Sequence, residues 1–304
     1  MRTKYSSGLD VQESLQQLKF HRETETTKLF EDGIQYHDNT RLADSLYKRV
    51  RVLCWILSSP DNLKRKAQHV RATWAKRCNI VIFISSKTNT NFPAVGFNTT
   101  EGVYHVTAKT MHAFKYCWDY YRDQADWFLK ADDDSFVILE NLRYFLSAYK
   151  RTDPLYFGHK FKTKLKQDYF QGGAGYVLSH EALRRFGEKG FQDPKHCRPK
   201  GGAEDIEIAK CMEHLGVTMG DSRDAMGRSR FHVFNPPIQL EGRFPAWYYK
   251  HDAHGAPYGP ESISKYAVSF HSVEPQMMYH LDYYIYHLRP YGIVTGNMER
   301  NAKP

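Results

Sequence analysis

An apolar run, Trp127-Phe128-Leu129-Lys130-Ala131, ends on three consecutive aspartates, Asp132-Asp133-Asp134. The run has the length and composition of a buried strand. Three adjacent carboxylates repel one another, and clustering them is costly unless a cation neutralises them. In an extended or turning segment Asp132 and Asp134 point to the same side, which makes a hard-oxygen site for Mn²⁺ or Mg²⁺. Such an ion keeps positions open for phosphate oxygens and stabilises charge on a departing diphosphate. A bare Asp-x-Asp is more often a solvated turn, but the strand that delivers this one favours the metal. An EF-hand is excluded, because its third acidic position and its glycine are missing.

The text around the aspartates alternates between two periods. Compact apolar runs at 50–57, 79–85, 126–131, 154–161 and 172–179 predict strands. Helical spacing predicts helices over 62–77, 105–121, 137–150, 179–190 and 203–216, the first capped by Ser59 with Pro60 at its first position. Alternation with short connectors predicts an α/β fold, a largely parallel sheet covered on both faces. Ligands bind such sheets at the carboxyl ends of strands, where the aspartates lie. Residues 1–48 are polar and weakly patterned and read as a stem or linker, leaving 49–304 as the folded domain. After about residue 228 the regularity gives way to Pro- and aromatic-rich text, which fits a cap of loops.

The formal net charge is +9, yet no paired Cys/His zinc spacing and no ribonucleoprotein signature accompanies it, so no nucleic-acid partner is expected. Cys54, Cys78, Cys117, Cys197 and Cys211 include no C-x-x-C pair, which argues against a structural zinc. Asn98-Thr99-Thr100 is an N-glycosylation acceptor triplet. No run approaches the ~20 apolar residues of a membrane span.

HVRATW, AKTMHAF, DWFLKADDDSFVILENLRY, YFGHKF, GGAGYVLS, GGAEDIEIAKC, GDSRDAMGRSRF and YHLRPYGI follow one another in this order over about 49–293. The chain thereby resembles the core 1 β-1,3-galactosyltransferases, part of the wider β-1,3-glycosyltransferase family 31 that includes fringe-like enzymes. The resemblance implies a GT-A fold with a mixed, mostly parallel sheet, and Mn²⁺ as cofactor. It implies an inverting transfer of galactose from UDP-galactose to O-linked N-acetylgalactosamine on Ser or Thr of a glycoprotein. It further implies a type II Golgi membrane enzyme, often homodimeric, whose catalytic domain is luminal and whose N-terminal anchor is absent from this sequence. Within the resemblance, Cys54 pairs with Cys78 and Cys197 with Cys211, leaving Cys117 free.

Roles follow residue by residue. Asp134 and His271 match metal ligands, and Asp132 would bind the metal or the donor's ribose, with Asp133 supporting either role. Asp205 matches the general base; at a helix start the dipole is expected to keep it ionised. Glu204 would orient Asp205 or the acceptor. Without the resemblance, both read equally well as helix-capping acids. Arg71, Lys109, Glu101 and Gly102 resemble residues that hold UDP, and Gly172-Gly173 would let backbone approach the donor sugar. Trp247 and Tyr248 are candidates to stack on the acceptor sugar. The chain departs from the family at His159, where a Cys is usual, and lacks an adjacent Cys pair before AVSFH. The departures concentrate in 235–266, where acceptor contacts are expected. Rival readings are a β-1,3-glycosyltransferase of other donor or acceptor, and a non-catalytic chaperone-like relative, which should lack an intact acidic motif.

Overall fold

The computed structural model describes residues 39–163 and 168–289. Part of the first 48 residues, and the end of the YHLRPYGI motif, lie outside the described residues. The described fold opens with helix α1 (Arg41–Arg49), ahead of the boundary expected at 49. Leu46 of α1 is buried in the core.

Strand β1 (Val52–Leu57) leads through a helical segment, including α2 (Gln68–Ala72), to β2 (Ile80–Ser85) and β3 (Ala94–Gly96). Helix α3 (Val106–Tyr121) precedes β4 (Trp127–Asp132), β5 (Phe136–Val137) and α4 (Leu139–Leu146). Then come β6 (Leu155–Gly158), β7 (Lys160–Phe161), β8 (Tyr169–Phe170), β9 (Tyr176–Ser179) and α5 (His180–Glu188). Helix α6 (Glu204–His214) precedes β10 (Thr218–Met219) and β11 (Phe231–His232). Short helices α7 (Pro236–Glu241) and α8 (Ala246–His251), strand β12 (Ser269–Phe270) and α9 (Pro275–Tyr286) complete the order.

The main sheet runs β10-β6-β9-β4-β1-β2-β3. β1, β2, β3 and β4 are parallel, while β9 is antiparallel to both β4 and β6, so the sheet is mixed as expected. Side chains alternate across a strand, and here the alternation feeds two cores. Val52, Cys54, Ile56, Trp127 and Leu129 fill one face; Leu53, Trp55, Leu57 and Phe128 fill the other. The same alternation puts Lys130 on the Phe128 face, whose core also holds Ile208 and Met212 of α6.

Three expectations need correcting, the first being the single strand over 154–161, which divides into β6 and β7 of different sheets because β7 turns away to pair with β8. The helix over 62–77 is broken into a π-helical turn (Leu63–Ala67), α2 and a 3₁₀ turn (Trp74–Arg77). Tertiary contacts override the local pattern: Trp74 is fully buried and its Nε1 donates to Ser135 O at the acidic turn, 2.7 Å away. Ser59 Oγ does accept from Asn62 N at 3.3 Å, ahead of that π turn. The strand expected over 172–179 begins only at Tyr176, because 172–175 form a turn with Gly175 at φ +79°. Ser179 caps α5, its side chain accepting from Ala182 N.

Both expected disulfides, Cys54–Cys78 and Cys197–Cys211, are present, and Cys117 is free and buried. His159 is buried in a polar network. Its Nδ1 lies 2.8 Å from Phe231 O, and its Nε2 lies 2.7 Å from Asp252 Oδ1 and 3.2 Å from Tyr248 Oη.

Candidate active site

β4 ends at Asp132, so the aspartates leave the sheet at a strand's carboxyl end. A second pairing completes the cluster. β5, just past the turn, pairs antiparallel with β12 so that Phe136 faces Phe270, and Val273 N donates to Asp134 O at 2.9 Å. This register carries His271 to the turn, with Nε2 3.2 Å from Asp134 Oδ1. One ligand atom each from Asp132, Asp134 and His271 lie within 4.8 Å of one another. The Nδ1 of His271 lies 3.1 Å from Val233 O. A carbonyl there requires Nδ1 to carry a proton, which leaves Nε2 as the atom able to bind a cation. Two carboxylates and one imidazole suit a divalent ion such as Mn²⁺, so these residues fit the expected cofactor.

Cations of the chain answer the aspartates. Lys66, from the π-helical turn, donates to Asp134 Oδ2 at 2.8 Å. Burial works against ionisation of Asp134, but His271 and Lys66 outweigh it and hold the carboxyl well below its usual range. Asp133 takes a different role. Buried, and beside two like charges, its carboxyl is pushed up to about 6 although Ser58 Oγ donates to it at 2.7 Å. The Ser58 carbonyl in turn accepts from Lys109 Nζ at 3.0 Å, and Lys109 pairs with Glu101 at 2.8 Å. Glu101, Lys109 and Asp133 are thus linked through the residue that follows β1. Gly102, at φ +111°, precedes the 3₁₀ turn into α3.

Lys130 joins this turn to a second acid pair. Its Nζ donates to Asp132 Oδ1 at 2.6 Å and to Gly172 O at 2.9 Å. Gly172 N donates to Asp205 Oδ2 at 3.2 Å, and Tyr176 Oη donates to Glu204 Oε1 at 2.6 Å. Burial works to lower the Lys130 pKa, but Asp132, Glu204 and Asp205 outweigh it and hold the pKa above the ordinary lysine value. Glu204 and Asp205 open α6 after Gly201 and Gly202, both at positive φ. Burial raises the pKa of both acids. For Asp205 this outweighs the Gly172 and Ile206 amides and Lys130, so desolvation raises its pKa at this helix start.

The paired glycines make room for side chains. A Cβ on Gly173 would fall 2.3 Å from His271 Cε1, and one on Gly172 would fall 2.9 Å from Glu204 Oε2.

Other expected residues lie apart. Arg71 is exposed, its guanidinium 5.6 Å from the Phe92 ring centroid. Tyr248 is 1% exposed, packed on Phe244 and Phe234, so it has no face to offer a sugar. Trp247 is 45% exposed, with its ring 6.3 Å from that of His251. A cavity of about 370 Å³ is lined by Lys162, Thr163, Tyr169, Ile206, Lys250 and His251, next in sequence to Asp205 through Ile206. Asn98 is exposed at φ +52°. Sequence reasoning missed Lys66 and Lys130. A lysine inside an apolar strand run, two residues before an aspartate, was the available signal for Lys130.

Residues 62–232, more than half of the chain, match the family described as Fringe-like. Glycoprotein-N-acetylgalactosamine 3-beta-galactosyltransferase 1 of Xenopus laevis is 46% identical over 259 residues, which cover 84% of this chain and 71% of that protein. Beta-1,3-glucosyltransferase of Mus musculus is 27% identical over 60% of this chain and 37% of its own length. Among solved structures, galactosyltransferase LgtC in complex with donor and acceptor sugar analogues aligns at a TM-score of 0.43 and 10% identity, covering 79% of this chain and 98% of that one. The chain belongs to the Fringe-like family of glycosyltransferases.

Proposed function

We propose that this chain transfers galactose from UDP-galactose to the 3-hydroxyl of O-linked N-acetylgalactosamine on glycoproteins, with inversion at the anomeric carbon. The observation that carries the reading is the juxtaposition of a cluster able to hold a cation with a buried acid pair, joined through Lys130 and Gly172. The 46% identity to the frog enzyme supports the choice of donor and acceptor.

Asp132, Asp134 and His271 would hold Mn²⁺, which supplies charge stabilisation for the leaving diphosphate. Lys66 adds positive charge at the same turn. Glu101, Gly102 and Lys109 form the nucleoside side of the site, connected to Asp133 through Ser58. Asp205 takes the proton of the acceptor hydroxyl. Its raised pKa improves that fit, because a base works best when its pKa approaches the working pH. Glu204, fixed by Tyr176, shares the Lys130 charge and so sets how readily Asp205 ionises. The acceptor enters by the cavity beside Ile206, near which Trp247 stands exposed against His251 of the lining. Family membership and two disulfides favour the Golgi lumen, an oxidising compartment; among the described residues no helix is long and apolar enough to cross a membrane.

The test is transfer of tritiated galactose to an N-acetylgalactosamine–threonine peptide, with and without chelator. Chelator-sensitive product is expected. Transfer only from another nucleotide sugar would assign a different β-1,3 activity, and no transfer from any donor would leave a non-catalytic relative.

A further inference from the structure

A second convergence of metal-binding side chains lies outside the active site. Asp193 follows a 3₁₀ turn (Gly190–Gln192), His196 precedes Cys197, and His214 is the last residue of α6, about one turn after Cys211. The Cys197–Cys211 disulfide therefore staples the loop carrying Asp193 and His196 to the helix carrying His214. The donors meet at one oxygen. His196 Nδ1 is 2.7 Å and His214 Nε2 3.1 Å from Asp193 Oδ2. The two imidazoles lie face to face, centroids 3.9 Å apart and planes 11° apart. All three ligand atoms fall within 4.8 Å, and ligand atoms about 2 Å from a common ion sit roughly 3.3 Å apart. Joint coordination also requires one imidazole to rotate out of the stack, since near-parallel rings do not point their in-plane lone pairs at one ion; the partial or full exposure of all three residues leaves room for that rotation.

We propose that Asp193, His196 and His214 form a second cation site, selective for a zinc-class divalent ion and distinct from the acidic turn. Two nitrogens and one oxygen, with a fourth position open to water, match Zn²⁺. The same donors bind Mn²⁺ weakly, because Mn²⁺ stands lowest in the order of first-row affinities. The acidic turn, with two carboxylates and one imidazole, leans the other way. A bound ion would tie the 193–197 loop to the far end of the helix that begins with Glu204 and Asp205, adding a clasp beside the disulfide.

The experiment uses the full chain with its acidic turn saturated by Mn²⁺ and UDP. Zn²⁺ is titrated in, with Co²⁺ as a coloured probe of the coordination sphere. One further equivalent of Zn²⁺ should bind and raise the melting temperature, with binding strengthening as pH rises because ligand protons are displaced. His214→Gln should weaken this equivalent by about tenfold or more, and His196→Gln likewise, while galactose transfer stays within about twofold of wild type. A wild-type protein that takes up no additional Zn²⁺ at about 100 μM, or uptake unchanged in both variants, overturns the proposal. Either result leaves the transferase reading untouched, because transfer is measured in parallel.

Discussion

The turn at Asp132–Asp134 and the start of α6 at Glu204–Asp205 both set acids side by side, and Lys130 lies in the field of each. Their electrostatics nonetheless diverge. Asp134 is flanked by Lys66 and His271 and stays ionised well below the usual range. Glu204 and Asp205 are buried with less positive charge at hand, so desolvation dominates and both are raised. On the proposed mechanism Asp134 must remain anionic to hold a cation, whereas Asp205 must change protonation state to accept a proton. The number of cations within reach, more than the residue type, separates the two jobs.

That contrast can be broken in several places. The largest effect should come from Asp205→Asn, which removes the proton acceptor while leaving the acidic turn whole. Transfer should fall by about 10³-fold, within the range for loss of a general base, with UDP affinity by calorimetry nearly unchanged. Near-normal turnover would move the base elsewhere. Asp134→Ala attacks the other member. Metal-dependent UDP binding should weaken by about 10²-fold, and Lys66 and His271 lose their shared partner. Unchanged calorimetry would reject the metal role.

The pH profile sharpens the comparison further. As the proposed base Asp205 would act only as the carboxylate, so transfer should rise with pH through a pKa above the ordinary aspartate value and then level off. Glu204→Gln removes a competing negative charge near Lys130, so this acidic limb should move to lower pH, with a rate loss of about tenfold. A limb that stays in place would show that Glu204 does not tune the base. The smallest effect belongs to the acceptor side. Trp247→Ala should raise the acceptor KM several-fold, about 1 kcal/mol of lost stacking, and leave the UDP-galactose KM alone.

The legible parts of the site are local in sequence. Asp132–Asp134 follow a strand signal directly, and Glu204–Asp205 follow two glycines at a helix start, so motif and placement could be read together. The strands beside them were legible because they are buried on both faces and read as unbroken apolar runs. Lys66 and Lys130 are harder to read because a lysine ordinarily marks a surface; the position of Lys130 inside an apolar run hints at its burial, but its acidic neighbours Glu204 and Asp205 come from a distant segment. Trp247 and Tyr248 are neighbours with equal claims in sequence, and packing against Phe234 and Phe244 alone decides that Tyr248 is core. The His159–Asp252 contact spans 93 residues, beyond any local pattern.

If His271 holds the cation as proposed, Gly173 offers a route to an enzyme disabled without losing a ligand. A methyl group there would collide with the His271 ring, since the added carbon would lie 2.3 Å from Cε1. Gly173→Ala should therefore push the imidazole away from Asp134 while Asp132, Asp134 and His271 all remain in the chain. Such a variant would retain the acid pair on α6 and so provide a catalytically silent decoy for capturing acceptor glycoproteins.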